Sequence, residues 1–171
     1  LFEKEGDRID SVNVTTPDHM HFPIAMEALK RRKNLHLQKP MCHELSEVRK
    51  LTETAARAGV VTQLGTQHAS ETGDRMTVEL LRQGAIGRIR RVLLCSNRPA
   101  PNRIRGPRPA SGEAPPPHLN WDLWIGNAPM RPYAPEIYHP AAWRGWQDFG
   151  TSWVADMGTH LIDATWRGLG L

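Results

Sequence analysis

The sequence lacks the features that mark membrane, secreted and zinc-binding proteins. Only two cysteines occur in 171 residues, Cys42 and Cys95, and because they are far apart we predict reduced thiols without zinc or a disulfide. No apolar run approaches the length that spans a bilayer, so we predict no membrane partner. The chain starts without methionine or a secretory signal. We therefore expect an internal fragment truncated at both ends, cytoplasmic by default, with a periplasmic or exported location left open because a signal would precede the first residue.

Charge of one sign is not concentrated in blocks. The net charge is +4, but the basic residues are spread along the chain, which favours a solvated surface over a nucleic-acid partner. Residues 97–117 are rich in proline and arginine, yet they lack interleaved aromatic residues for base stacking. We predict a surface insertion there. A nucleic-acid or partner-binding arm is the non-enzymatic alternative.

The first 67 residues alternate between strand and helix patterns. Runs at 9–15, 35–37 and 60–64 predict three strands, and apolar spacing predicts helices after Asp18 and after Ser46, with Gly59 ending the second. We expect Asp18 and Ser46 to cap these helices. Strands that alternate with helices and short connections are typical of a parallel sheet with right-handed crossovers, an α/β fold. Residues 72–83 predict a further helix and 89–96 a strand, so we place a domain boundary within 67–89.

A helix is also predicted over residues 150–168. There Asp156, His160 and Asp163 follow one another at i, i+4 and i+7, which aligns them on one stripe, with Thr151 as the expected cap. A carboxylate one turn from an imidazole can orient the ring for proton transfer. Tryptophans at 121, 124, 143 and 146 lie close by in the sequence, where they could wall a sugar or flat ring or could pack in a core.

Polar residues follow each of the three predicted strands. They are Thr15, Thr16 and Pro17 after the first, Gln38, Lys39 and Pro40 after the second, and Gly65, Thr66 and Gln67 after the third. Ligands of open parallel sheets bind at the carboxyl ends of strands, where small hydroxyl residues let a cofactor approach the backbone. A lysine there can stabilise a developing alkoxide.

Seven segments occur in order along the chain: TTPDHMHFPIAMEAL, NLHLQKP, GTQ, GAIGRI, LNWDLWIGNAPMRPY, YHPAAWRGW and DFGTSWVADMGTHLID. Together they resemble the glucose–fructose oxidoreductase/inositol dehydrogenase/rhizopine catabolism (Gfo/Idh/MocA) family. The resemblance implies an NAD(P)-dependent enzyme that transfers a hydride between nicotinamide and a hydroxyl of a carbohydrate-like sugar or polyol. It also implies a fold class: the C-terminal part of a Rossmann-type parallel sheet (1–67), a connecting helix (68–88), and the start of an α+β substrate domain (89–171). The intact protein is expected to be a homo-oligomer.

The resemblance assigns roles by position. It implies three catalytic residues: Lys39, Asp156 and His160, with His160 as proton acceptor and Asp156 as its partner. The implied cofactor-binding residues are Thr15, Thr16, Pro17, His21, Lys39, Pro40, Trp143 and Arg144. The implied substrate contacts are Gln67 and Asp163. Two departures matter, because Gln38 replaces the glutamate of the family's E-K-P motif, and no G-x-G-x-x-G occurs in the chain.

Two enzymatic alternatives are kept beside this hypothesis. A metal-dependent hydrolase could use His19, His21, Asp156, His160 and Asp163 as ligands, although it leaves Lys39 without a role. An NAD-dependent, redox-assisted glycosidase could begin with the same oxidation of a ring hydroxyl. The residues alone do not separate the glycosidase from the dehydrogenase.

Overall fold

Three parallel strands near the start of the chain form a small sheet. They are found in the computed structural model, which describes residues 1–96 and 107–171. In chain order the elements are α1 (Phe2–Glu5), β1 (Ser11–Val14), α2 (His21–Lys30), β2 (Asn34–Gln38), α3 (Leu45–Ala58) and β3 (Thr62–Gly65). The strand order is β1-β2-β3, and both pairings are parallel. The predicted α/β arrangement is confirmed.

Apolar residues of the strands and helices form one core between the sheet and its helices. Leu35 and Leu37 of β2 are buried, and they pack against Ala28 and Leu29 of α2. These residues keep the period of two expected of a strand and the helical spacing expected of α2. Gly59 ends α3 at a φ of 64°, a left-handed conformation that glycine adopts without steric cost.

The predicted helix caps are wrong. The helix α3 begins after Glu44, whose backbone N–H donates to the Glu47 carboxylate at 3.1 Å, so Ser46 lies within the helix. Asp18 lies in a 3-10 turn (Asp18–Met20) ahead of α2, and its carboxylate accepts hydrogen bonds from Thr151. Thr151 likewise donates its hydroxyl to Asp18, so it does not cap its own helix. A local contact between Glu44 and Glu47 displaces Ser46 as the cap, whereas a contact distant in sequence engages Asp18 and Thr151.

The predicted strand at 89–96 is also wrong. Helix α4 (Thr72–Arg82) forms as expected, but residues 89–96 pair with no strand in the part of the chain that the structure describes. The β-branched Val92 favours an extended backbone. Its neighbour Leu93 is nevertheless 81% exposed, because no neighbouring strand covers it in the described part of the chain. A strand needs a neighbouring strand to pair with, as well as residues of high β-propensity. Residues 97–106 of the predicted proline- and arginine-rich insertion (97–117) lie outside the described residues.

The C-terminal part is held together by aromatic side chains. It contains α5 (Trp121–Ile125), a 3-10 turn (Ala142–Gly145) and the long helix α6 (Ser152–Leu169). The aromatic cluster contains residues of α5 and of the 3-10 turn, and it includes the fully buried Tyr138 and Phe149. Gly168 of α6 lies against Leu81 of α4, which brings the two helices into close contact. The predicted domain boundary within 67–89 stays a prediction.

The remaining compositional predictions concern cysteines and membranes. Cys42 and Cys95 are both free thiols, as predicted, and burial raises the pKa of Cys42 to about 12. Across residues 1–96 and 107–171, none of the helices combines the length and hydropathy of a membrane span.

Candidate active site

The carboxyl ends of the strands open into a cavity of about 810 Å³. One wall comes from the turns that follow the three strands, and the other comes from α6 and the tryptophan-rich segment. Of the twelve predicted site residues, ten line this cavity: Thr15, Thr16, Pro17, His21, Lys39, Gln67, Trp143, Arg144, Asp156 and His160. Lys39 and His160, which are far apart in sequence, therefore face one space.

Lys39 is anchored by Asp156. Its amine donates to the Asp156 backbone carbonyl oxygen at 2.8 Å and to the Asp156 carboxylate oxygen Oδ1. The second carboxylate oxygen, Oδ2, lies 3.7 Å from Nε of Arg144. The Lys39 and Asp156 side chains are only 13% and 17% exposed. The Asp156 carboxylate thus lies between two cations, and this pairing with Lys39 is one that the sequence did not predict.

Gln38, which replaces the expected glutamate, bonds to the Lys39 backbone. Its Oε1 accepts the backbone N–H of Lys39 at 3.2 Å, and its side chain lies across Gly65 at the end of β3. A Cβ on Gly65 would come within 2.8 Å of the Gln38 Cδ, so glycine leaves room for this side chain. The negative charge beside the Lys39 amine comes from Asp156.

His160 projects from α6 one turn after Asp156 and is 9% exposed. Its ring contacts the ring of His68, with centroids 4.2 Å apart and planes tilted by 40°. His68 belongs to a 3-10 turn (Gln67–Ser70) that follows β3. Sequence analysis missed His68. The available signal was its position directly after Gln67, at the third strand end.

The turn after β1 is fastened to the start of α6. One carboxylate oxygen of Asp18 accepts both the backbone N–H of Thr151, at 3.0 Å, and its hydroxyl, at 2.8 Å. Burial raises the pKa of Asp18, and the hydrogen bonds from Thr151 oppose that rise. One buried carboxylate therefore makes two hydrogen bonds to the residue that precedes α6.

His19 and His21 direct their ring nitrogens to backbone oxygens. Nε2 of His19 lies 3.0 Å from the carbonyl oxygen of Ile125, and burial lowers the pKa of His19. His21 is 1% exposed, with Nδ1 2.8 Å from the Pro40 oxygen and Nε2 2.9 Å from the Thr16 oxygen. Among the described residues, no three His, Cys, Asp or Glu side chains form a group that could hold a metal ion. This geometry disfavours the metal-dependent hydrolase.

Three tryptophans line the cavity and others form the core. Trp124, Trp143 and Trp153 contribute to the lining. The guanidinium of Arg144 lies 4.3 Å from the centroid of the Trp143 ring, a cation–π contact at the cavity wall. Trp121 is buried and stacks on Trp124 at 4.9 Å. Both predicted roles for the aromatic residues therefore occur, as cavity wall and as packing.

Two predicted site residues lie outside the lining. The carbonyl oxygen of Pro40 faces His21, and its side chain borders a neighbouring cleft. The carboxylate of Asp163 accepts from Nε of Arg167 at 2.8 Å, and Arg167 in turn donates to the Ala69 carbonyl oxygen. The i, i+7 spacing carries Asp163 along α6, and Asp163 is not among the residues that line the cavity; its substrate contact stays a prediction.

Two family models match the chain. The model described as "Oxidoreductase family, NAD-binding Rossmann fold" matches residues 1–66. The model described as "Oxidoreductase family, C-terminal alpha/beta domain" matches residues 105–169. Together they cover both walls of the cavity.

Individual relatives agree with these matches. The chain is similar to an inositol 2-dehydrogenase of Rubrobacter xylanophilus, with 28% identity over 83 residues, 48% of this chain and 24% of that protein. It is also similar to an inositol dehydrogenase homologue from Azotobacter vinelandii, solved with NAD⁺ and with NADH and myo-inositol. That match has 31% identity and a TM-score of 0.50, and covers 53% of this chain and 24% of the homologue. The chain spans about a quarter of the length of these relatives. Because the two family models together match more than half of its residues, the chain belongs to the Gfo/Idh/MocA family of oxidoreductases.

Proposed function

We propose that the protein containing this chain transfers a hydride between NAD or NADP and a hydroxyl-bearing carbon of a sugar, polyol or related compound. The observation that carries the proposal is that Lys39 and His160 line one cavity at the carboxyl ends of the strands. Membership of a family with an NAD-binding domain supports the cofactor and favours NAD. The inositol-related names of two relatives, one solved with myo-inositol, support a polyol or carbohydrate-like substrate.

The turn after β1 suits a nicotinamide nucleotide. The hydroxyl of Thr16 is buried at the cavity edge and has no hydrogen-bond partner among the described residues, so it is available to a ligand. We assign the cofactor contacts to Thr15, Thr16 and Pro17 on one side and to Trp143 and Arg144 on the other. When bound, the nicotinamide supplies the hydride acceptor for alcohol oxidation.

Lys39 and His160 then act on the substrate hydroxyl. A lysine ammonium has three N–H donors, and two of those on Lys39 are directed to Asp156, which leaves one for a substrate oxygen in the cavity. That contact stabilises the negative charge that develops on the oxygen. The imidazole of His160 accepts the hydroxyl proton as a general base. Asp156 positions Lys39 by holding its amine at two points.

A redox-assisted glycosidase would use the same first oxidation, so the products decide between it and the dehydrogenase. A dehydrogenase leaves a ketone or lactone together with reduced nucleotide. A glycosidase returns the nucleotide to its oxidised form and releases two sugars. We favour the dehydrogenase because the relatives are named for that reaction.

The test is nucleotide reduction by the intact native protein. NAD and NADP are each offered with myo-inositol, other polyols and aldoses, and reduced nucleotide is followed by absorbance. Lys39→Met and His160→Gln should each lower kcat by about 10²-fold or more. His118→Gln serves as the matched control, because His118 is exposed and lies outside the cavity lining. The proposal would be overturned if neither NAD nor NADP were reduced with any of these substrates. It would also be overturned if Lys39→Met and His160→Gln both kept full activity.

A further inference from the structure

A second histidine lies against the proposed general base. The His68 and His160 rings are in contact, with centroids 4.2 Å apart, yet they differ in exposure. His160 is 9% exposed, whereas the His68 side chain is 39% exposed. On the solvent side, Nε2 of His68 lies 3.7 Å from a carboxylate oxygen of Glu71. The pair therefore runs from the cavity towards the surface of the molecule.

Hydrogen bonds fasten the turn that carries His68 to the helix that carries His160. The turn that carries His68 is closed by the Ala69 N–H, which donates to the Thr66 oxygen at 3.1 Å. Arg167 of α6, the helix that carries His160, donates to the Ala69 carbonyl oxygen at 3.0 Å. The ring contact thus joins two elements that are already fastened together.

We propose that His68 is a positioning residue that orients the His160 ring towards the cavity and disfavours a second positive charge on the pair. Two imidazolium rings about 4 Å apart repel each other, whereas one charged and one neutral ring do not. Protonation of His68 therefore opposes proton uptake by His160. The proposal rests on the proposed function for the role of His160 as proton acceptor, but the contact between the rings is independent of it.

The charged groups that the described residues place on the two elements are the same in the wild type and in variants at residue 68. On α6, Asp156 is paired with Lys39, and Asp163 is paired with Arg167. On the segment from the turn into α4, Glu71 faces His68, and Asp74 has a buried carboxylate oxygen. These carboxylates are unchanged by substitution at residue 68.

The test is a pH titration of ring-labelled histidine by NMR on the full chain. His160→Gln assigns the His160 signal. His68→Phe keeps a flat ring in contact but removes its proton, and His68→Gln removes the ring. His118→Phe is the matched control at an exposed site. In both His68 variants the midpoint of the His160 titration should move to higher pH, by about 0.5 pH unit or more for two charges about 4 Å apart near solvent. No movement in either variant, or equal movement in His118→Phe, would overturn the proposal.

A kinetic measurement separates this proposal from the proposed function. In the active intact protein, His68→Phe should move the acid limb of kcat/KM to higher pH while the substrate KM stays within about twofold. A wild type without dehydrogenase activity would refute the proposed function. The NMR titration would still decide the coupling between the rings, since it needs neither cofactor nor substrate.

Discussion

The contact between α4 and α6 predicts opposite effects for two glycine-to-alanine substitutions in one helix. Gly158 and Gly168 both lie in α6. Outside the helix's own backbone, no atom of the described residues lies within 4 Å of a Cβ built on Gly158. A Cβ on Gly168 would lie 2.7 Å from Cδ1 and 2.9 Å from Cβ of Leu81. Both distances are well below the roughly 3.5–4.0 Å at which carbon atoms attract each other.

The magnitudes follow from helix propensity and overpacking. Alanine is more favourable than glycine inside a helix by about 1 kcal/mol, so Gly158→Ala should raise the free energy of unfolding by up to about that amount. Gly168→Ala gains the same propensity but forces extra volume against Leu81, which costs about 1–3 kcal/mol. We expect a net loss of up to about 2 kcal/mol, so that the two variants differ by about 1–3 kcal/mol.

The assay is urea denaturation of the full chain followed by tryptophan fluorescence. The variants share a helix and a chemical change, so each serves as the control for the other. Adding Leu81→Ala to Gly168→Ala should relieve the overpacking and give a favourable coupling energy of about 1 kcal/mol in a double-mutant cycle. Equal stabilisation by both glycine substitutions would show that α4 and α6 do not pack as described.

Two further predictions concern the pH dependence of stability and the position of Lys39. Burial lowers the pKa of His19, so its contribution to stability is complete above about pH 6.5 and is lost as the unfolded chain becomes protonated below that pH. His19→Gln keeps a donor for the Ile125 carbonyl. The variant should lose less free energy of unfolding than the wild type between about pH 7.5 and pH 5.5. Equal losses in the variant and the wild type would contradict this prediction. Asp156→Asn should lower kcat about 10²-fold with little change in nucleotide KM, because the Lys39 amine is no longer held by a carboxylate. An unchanged kcat would remove Asp156 from the mechanism.

Local patterns were sufficient to predict the sheet and its helices. The period of two at Leu35 and Leu37, together with the helix stop at Gly59, depends on neighbours within a few residues. The strand at 89–96 failed because its pairing is not local. β-branched residues such as Val92 favour an extended backbone, but they do not supply the neighbouring strand that would bury it.

The part of the site that could be predicted is the part that the order and direction of the strands determine. Parallel strands bring their carboxyl ends to one edge, so the turns containing Thr16 and Lys39 had to lie close together. The pairing of Lys39 with Asp156 joins residues 117 positions apart, and no spacing rule reaches that far. The contact of His68 with His160 is equally non-local. The resemblance pointed to the residues, but it implied Asp156 as the partner of His160, whereas the structure bonds Asp156 to Lys39.

The cavity is assembled by contacts between the strand-end turns and the C-terminal part of the chain. Lys39 bonds to Asp156, Asp18 bonds to Thr151, and the His19 backbone N–H donates to the carbonyl oxygen of Phe149 at 3.2 Å. The first two of these contacts hold the first turn of α6 and the residue before it. The helix start, the Lys39 amine and the turn after β1 are therefore not independent parts of the site. A change that releases the start of α6 should disturb the Lys39 amine and the β1 turn together, even where no catalytic side chain is altered.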